Sequence, residues 1–227
     1  MKLKPVQITV VLLAVITVLS ISSCGRSKTK KSDAASDSAT EKIQIFNGKN
    51  LNNWTFFLRD PSADVSKVFT VQNNVIHITG DPFGYMRTRD SYSDYTLHLE
   101  WRYPLELSNS GVFVHAQLPD TIWPRCIEVQ LKAGNAGDFV CMGGSDMNER
   151  VDKSVRVVAK MAESTEKSVG EWNTMEITCI GDNIDVIVNG VLMNKATGVS
   201  IKEGHICLQS EGKDIEFRNV YLARLKK

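Results

Sequence analysis

Between Asn109 and Phe139 the side chains alternate at strand period twice within a short span, and both segments carry polar groups on one face. In Cys126-Ile127-Glu128-Val129-Gln130-Leu131-Lys132, successive side chains point to opposite faces of a sheet, so Ile127, Val129 and Leu131 share one face. Glu128, Gln130 and Lys132 share the other. In Val112 to Gln117 the valines lie on one face, with Phe113, His115 and Gln117 opposite. If the two segments are neighbours, one sheet face gathers an acid, an amide, an ammonium and an imidazole. An ordinary solvated sheet face has the same alternation. The connection argues for more than that. Pro119 to Arg125 contains two prolines, which stiffen it, and a tryptophan, which needs a surface to cover. A stiff aromatic loop beside a polar sheet face can wall a sugar pocket, with Trp123 as the platform.

The rest of the chain has the same period. Val68 to Gln72 and Val75 to Thr79 flank Asn73-Asn74, a hairpin pattern. Tyr95 to Tyr103 alternates throughout, with His98, Glu100 and Arg102 on its polar face. Thr174 to Ile180 and Ile184 to Val188 flank Gly181-Asp182, and Asn189-Gly190 is a two-residue hairpin turn before Val191. His205 to Gln209 and Ile215 to Leu222 close the series. Helical periodicity is nearly absent. A short helix or irregular insert is expected over Met147 to Ala162. Many short strands separated by turns predict an all-β sandwich of two antiparallel sheets.

The N-terminus has a different composition. Lys2 and Lys4 precede an apolar run from Val6 to Leu19, and Ser22-Ser23 stand just before Cys24. The run is short for a membrane span and reads as an export signal over residues 1–23. Small residues before a cysteine resemble the lipobox of bacterial lipoproteins, in which that cysteine is lipidated. Residues 24–41 then form a lipidated Cys24 and a polar tether too poor in apolar groups to fold. This implies a membrane partner through the lipid anchor and a location in the bacterial cell envelope. The remaining residues, 42–227, suffice for one domain with a core. The formal charge of +1 becomes −1 without Lys2 and Lys4, which gives no basic footprint for nucleic acid. Cys126, Cys141, Cys179 and Cys207 lack metal-ligand spacing and read as buried thiols, with disulfides the alternative in an exported protein. No Gly-rich phosphate loop, HExxH or GxSxG is present.

Several segments resemble one family in order along the chain. Phe46-Asn47-Gly48-Lys49-Asn50-Leu51-Asn52-Asn53-Trp54 is similar to its opening motif. Asn109-Ser110-Gly111-Val112-Phe113, Ile127-Glu128-Val129-Gln130, Leu208-Gln209 and Phe217-Arg218-Asn219 resemble later ones. Glu171-Trp172-Asn173 and Val188-Asn189-Gly190 also fit. The chain thus resembles the 3-keto-disaccharide hydrolases over nearly all of residues 43–225. The resemblance implies a concanavalin-A-like jelly roll with a sugar site on its concave face, and cleavage of glycosides oxidised to a ketone at C3. His115, Lys132 and Glu211 depart from the family, which often has Arg, Asp and His there.

Such chemistry needs a base near C2, because the C3 ketone acidifies the C2 hydrogen. It also needs a donor or metal at the enolate oxygen and an acid at the leaving oxygen. The expected assignment is Glu128 as base, His115 as acid, and Lys132 or Arg218 at the enolate oxygen. Asn109, Gln130 and Gln209 would orient hydroxyls, with Glu211 and Trp123 also facing the sugar. A divalent metal could supply the electrophile, although no ligand spacing supports one. His77 and His98 read as ordinary sheet residues, and Trp54 and Trp101 as core. Two rivals share the fold: a carbohydrate-binding lipoprotein without catalysis, and a structural lipoprotein that binds another envelope component.

Overall fold

The computed structural model describes residues 41–224, so the export signal, Cys24 and nearly all of the tether lie outside the described residues. In chain order the first strands are β1 (Lys42–Gln44), β2 (Trp54–Leu58), β3 (Phe69–Gln72), β4 (Val75–Ile78), β5 (Gly84–Thr88) and β6 (Tyr95–Arg102). The middle of the chain gives β7 (Gly111–Ala116), β8 (Cys126–Gln130), β9 (Phe139–Met142) and β10 (Val157–Val158). The last five are β11 (Asn173–Ile180), β12 (Asn183–Val188), β13 (Val191–Ala196), β14 (His205–Ser210) and β15 (Ile215–Arg224). They form a jelly-roll sandwich of two antiparallel sheets. The eight-stranded sheet runs β13-β12-β11-β6-β15-β4-β3, with β1 also paired to β15. The seven-stranded sheet runs β10-β9-β8-β7-β14-β5-β2.

The hairpins form where the turn residues place them. Asn73 and Asn74 both adopt positive φ, as do Asn189 and Gly190, and this backbone twist suits two-residue connections between antiparallel strands. Met147 to Ala162 contains no helix. It is a run of turns holding only the edge strand β10, and the one described helix, α1 (Val65–Val68), is a single turn capped by Asp64. Asp146, Arg150 and Asp152 are tied into local side-chain hydrogen bonds and ion pairs that hold these turns.

The core lies between the sheets. From β6 come Tyr95, Leu97, Leu99 and Trp101, each at most 1% exposed, against Val112, Val114, Ile127 and Val129 of the other sheet, all fully buried. Each such side chain contributes about 1.5–3 kcal/mol through removal from water. Trp54 and Trp101 belong to this core, and the four described cysteines are buried free thiols.

The outer faces of the two sheets differ. On the eight-stranded sheet the polar groups are paired. Glu216 meets Arg102 at 2.6 Å and His77 at 2.9 Å, Arg218 meets Glu100 at 2.6 Å, and His98 stacks on Tyr221. On the seven-stranded sheet, β7 is buried on both faces. Its outer side holds a second apolar cluster of Tyr85, Phe113, Ala116, Cys126, Val140, Met142 and Cys207. Leu97→Ala in the inter-sheet core is expected to cost about 2–5 kcal/mol in denaturant unfolding, whereas Thr70→Ala on the exposed face should stay within about 0.5 kcal/mol.

Candidate functional site

The site grows out of the β8 alternation. Ile127 and Val129 enter the core, so Glu128 faces outward between Phe113 of β7 and Val140 of β9. The same row continues to Val157 on β10 and, through Phe113 and Cys207, to Arg87 on β5. One row along, Gln130 lies opposite Gly111. That glycine is needed for space, because a Cβ there would stand 2.3 Å from Glu128 Oε1. The carboxyl therefore leans into the gap that the missing side chain leaves.

Glu128 is 4% exposed and has no ion-pair partner among the described residues. Burial, with the nearby Glu211 charge adding to it, pushes its pKa up from near 4.5 to about 8, while Arg156 acts weakly the other way. Glu211 follows β14 and bridges to Asn109. Its pKa is also raised, chiefly by burial, against the opposing effects of the Asn109 amide, Arg59, Gln209 and Lys132. The two acids thus share one polar site, and one of them is kept largely protonated at neutral pH.

A cleft of about 170 Å³ opens over these groups, lined by Asn109, Trp123, Glu128, Gln130 and Glu211, and by Val140, Met142, Arg156 and Val157. Gln130 Oε1 accepts from the backbone N–H groups of Leu131 and Lys132, both at 3.0 Å, which leaves its NH2 group for a ligand. Asn109 Oδ1 and both amide atoms of Gln209 are buried without a hydrogen-bond partner of ordinary geometry. Larger hollows of about 310 and 280 Å³ lie by Tyr92–Arg224 and by Asn47–Asn219. They hold no buried acid comparable to Glu128, and we place no chemistry there.

The proline-rich loop forms the cleft wall. Asp120 receives Arg87 Nε and Nη2 at 2.8 and 3.0 Å and the Tyr85 hydroxyl at 3.1 Å, and that hydroxyl also lies 3.1 Å from the Thr121 carbonyl. This clamp pins the loop on the sheet. Trp123 packs edge-on against Phe83 at 4.8 Å and remains 40% exposed. Arg59 lies over the Phe83 ring, 4.8 Å from its centroid.

Asn109, Gln130, Trp123, Glu128 and Glu211 are thus brought together, and Gln209 sits beside Glu211. Four expected site residues are outside the cleft lining, and Gln209, fully buried, is one of them. Between the pairs Phe113–Cys207 and Ala116–His205, β7 has one more residue than β14, and this bulge puts His115 at φ 56°. Its ring turns inward against Tyr95, and Nδ1 bonds the Ile201 carbonyl at 3.1 Å. Burial holds it neutral by lowering its pKa, so it cannot be the acid at the Glu128 cleft. Arg218 lies on the other sheet, paired with Glu100 and stacked 4.0 Å from Trp172. Lys132 stands exposed just past the end of β8, within electrostatic reach of Glu211 but outside the lining. Arg156, Val140, Met142 and Val157 complete the site unforeseen. The alternation in Phe139-Val140-Cys141-Met142 could have indicated two of them, whereas Arg156 lies in an irregular segment with no periodic signal. Among the described residues, no group of three or more His, Cys, Asp or Glu side chains is placed to hold a metal ion.

A jelly roll with a buried carboxyl in a cleft the size of one sugar ring belongs with the carbohydrate-active sandwich proteins. More narrowly, the model of the 3-keto-alpha-glucoside-1,2-lyase-like domain matches residues 41–223, and the chain belongs to that family. No curated protein matches the chain significantly. Among solved structures it is similar to a candidate glycosyl hydrolase from Parabacteroides distasonis, with 18% identity and a TM-score of 0.60 over 82% of this chain and 94% of that one. It is also similar to the Bacillus licheniformis β-glucanase, at 10% identity and TM-score 0.55 over 80% and 96% of the two chains. The Bacillus subtilis carbohydrate-binding module CBM66 matches at 13% identity and TM-score 0.54, over 74% and 93%. At these identities the likeness is one of fold.

Because the folded state holds Glu128 protonated where the unfolded chain has lost the proton, wild-type stability should fall as pH rises from about 4.5 to about 8. Glu128→Gln lacks this penalty. Its thermal midpoint should gain on wild type across that window, by an amount worth a few kcal/mol, and then level off. A difference independent of pH from 4 to 9 would show that Glu128 is not held protonated.

Proposed function

We propose that this protein cleaves glycosides carrying a ketone at C3, by proton removal from C2, elimination of the C1 substituent and rehydration. The observation that carries the reading is the buried Glu128 carboxyl in the cleft, without an ion-pair partner among the described residues and with a pKa of about 8, in a chain of this family. A buried carboxylate near neutrality is a stronger base than an exposed one and can also return the proton it takes.

The C2–H bond breaks toward Glu128, and its electrons form the enolate of the C3 ketone. The Gln130 NH2 group steadies the enolate oxygen. The enolate then collapses, the ketone re-forms, a C1=C2 bond appears, and the C1–O bond breaks. With His115 turned into the core, the proton on Glu128 passes to the departing oxygen. Water then adds across C1=C2, its hydroxyl to C1 and its proton to C2, which completes net hydrolysis. Asn109 and Glu211 hold sugar hydroxyls against the Trp123 face. A lipid anchor at Cys24 would hold the domain at the cell envelope, a location supported by the sequence of residues 1–24.

Sugar binding without turnover is the second reading, and the half-exposed Trp123 suits it. A panel of 3-keto-glucosides separates the two. The expected outcome is aglycone release with kcat/KM rising through an apparent pKa near 8, and a loss of about 10²–10⁴-fold in Glu128→Gln. Glu211→Gln removes a charge that raises the Glu128 pKa, so the ascending limb should move to lower pH. Sugar binding with no turnover on any keto-glucoside would leave the binding module as the function.

A further inference from the structure

We infer that the cleft continues into a second sugar subsite on the shelf formed by Trp123, Phe83 and Arg59, and that this subsite holds the sugar that leaves from C1. The inference rests on the elimination reading above and adds where the second ring of a disaccharide lies. At one end of the seven-stranded sheet, three residues reach the same level. Glu211 follows β14, Phe83 precedes β5 and Arg59 follows β2. The pairing of Ser210 with Gly84 puts Glu211 beside Phe83, and the Arg59 backbone N–H donates to the Phe83 carbonyl at 2.8 Å. Glu211 lines the cleft, whereas Phe83 and Arg59 stand just outside the lining. Phe83 supports both of its neighbours, since Trp123 packs on its ring and the Arg59 guanidinium lies over it. Arg59 is exposed, and among the described residues its side chain has no ion pair or hydrogen bond. The adjacent Asp60 carboxylate accepts from Ser62 instead. A planar fork of N–H donors therefore stands beside a part-exposed indole, next to the cleft.

The order of atoms in the substrate directs the second ring to this shelf. C2 lies between C1 and C3. In the elimination reading the C3 oxygen lies at Gln130 on β8, and the Glu128 carboxyl, at the C2 hydrogen, leans over Gly111 on β7. The step from C3 to C2 therefore heads from β8 toward β7. C1 follows in the same direction, which crosses β14 and meets β5 and β2. A cleft of about 170 Å³ is well below the roughly 300 Å³ at which pockets enclose a whole drug-sized ligand. It holds one ring, and the leaving sugar lies beyond it. A sugar ring presents a face of C–H bonds and an edge of hydroxyls. Trp123 offers apolar surface to the face, and the Arg59 fork donates to neighbouring hydroxyls on the edge. The opposite rim, at β9 and β10, contributes Arg156 and the aliphatic Val140, Met142 and Val157 to the lining but no aromatic side chain.

The test compares two substrates with the intact protein: a glucosyl disaccharide oxidised at C3, and methyl 3-keto-glucoside, which has no second ring. Arg59→Ala is expected to lower kcat/KM for the disaccharide about tenfold, the equivalent of roughly 1.4 kcal/mol, and to leave the methyl compound within about twofold. Any effect of Arg59 on Glu211 acts on both substrates and cancels in the ratio, as does partial misfolding of the variant. A ratio unchanged in Arg59→Ala would overturn the inference and leave the elimination reading standing. A ratio that falls only in Arg156→Gln would overturn it too, and would move the second sugar to the opposite rim. Turnover of neither compound by the wild type would sink both the subsite and the elimination reading.

Discussion

A carboxyl group out of water without a counter-charge is the constraint around which this site is built. Ionising a buried acid is costly, and the side chain responds by keeping its proton. Glu128 does so because three separate elements exclude water from it. Gly111 yields the space beneath, the second apolar cluster packs Phe113 and Val140 on either side, and the clamped loop carries Trp123 to the cleft. Each element has its own local cause in the sequence, and the cleft needs all of them. The Arg87–Asp120–Tyr85 clamp matters here because it converts a proline-rich connection into a fixed wall.

The other sheet shows what the same residue types do when charge is simply neutralised. Glu216 and Glu100 are also well covered, yet each meets an arginine at 2.6 Å. Arg102 and Arg218 both stack on Trp172 as well. These groups are tied to one another and leave no unsatisfied charge for a ligand. Two acidic faces on one sandwich are therefore chemically unlike, and the difference lies in their partners rather than in their composition.

The strands were legible because alternation is a local property. Tyr95 to Arg102 alternates buried and part-exposed at every position, as its pattern requires. Glu128 and Gln130 were legible on the same ground, since β8 runs without interruption. His115 was not, because a one-residue bulge reverses the face of the side chains beyond it, and nothing in Val112 to Gln117 announces it. The Lys132 reading extended strand period past the last paired residue, where the chain turns through Gly134 and Gly137. Arg218 was misplaced because the sheet to which β15 belongs depends on pairing with β6, a contact more than a hundred residues distant in sequence. Arg156 reaches the cleft from an irregular insert whose course is set by tertiary contacts. The family motifs carried the fold as a whole, whereas these four placements needed coordinates.

The elimination route stands or falls on the fate of the C2 hydrogen. Turnover of a 3-keto-glucoside in heavy water, with the released sugar read by mass and NMR and corrected for exchange of the free product, tests it directly. Proton transfer from C2 to the leaving oxygen, followed by rehydration, should place one solvent deuterium at C2 of each released sugar, and Glu128→Gln should release none. Aglycone release with the original C2 hydrogen retained would contradict the elimination route and the role of Glu128 as its base.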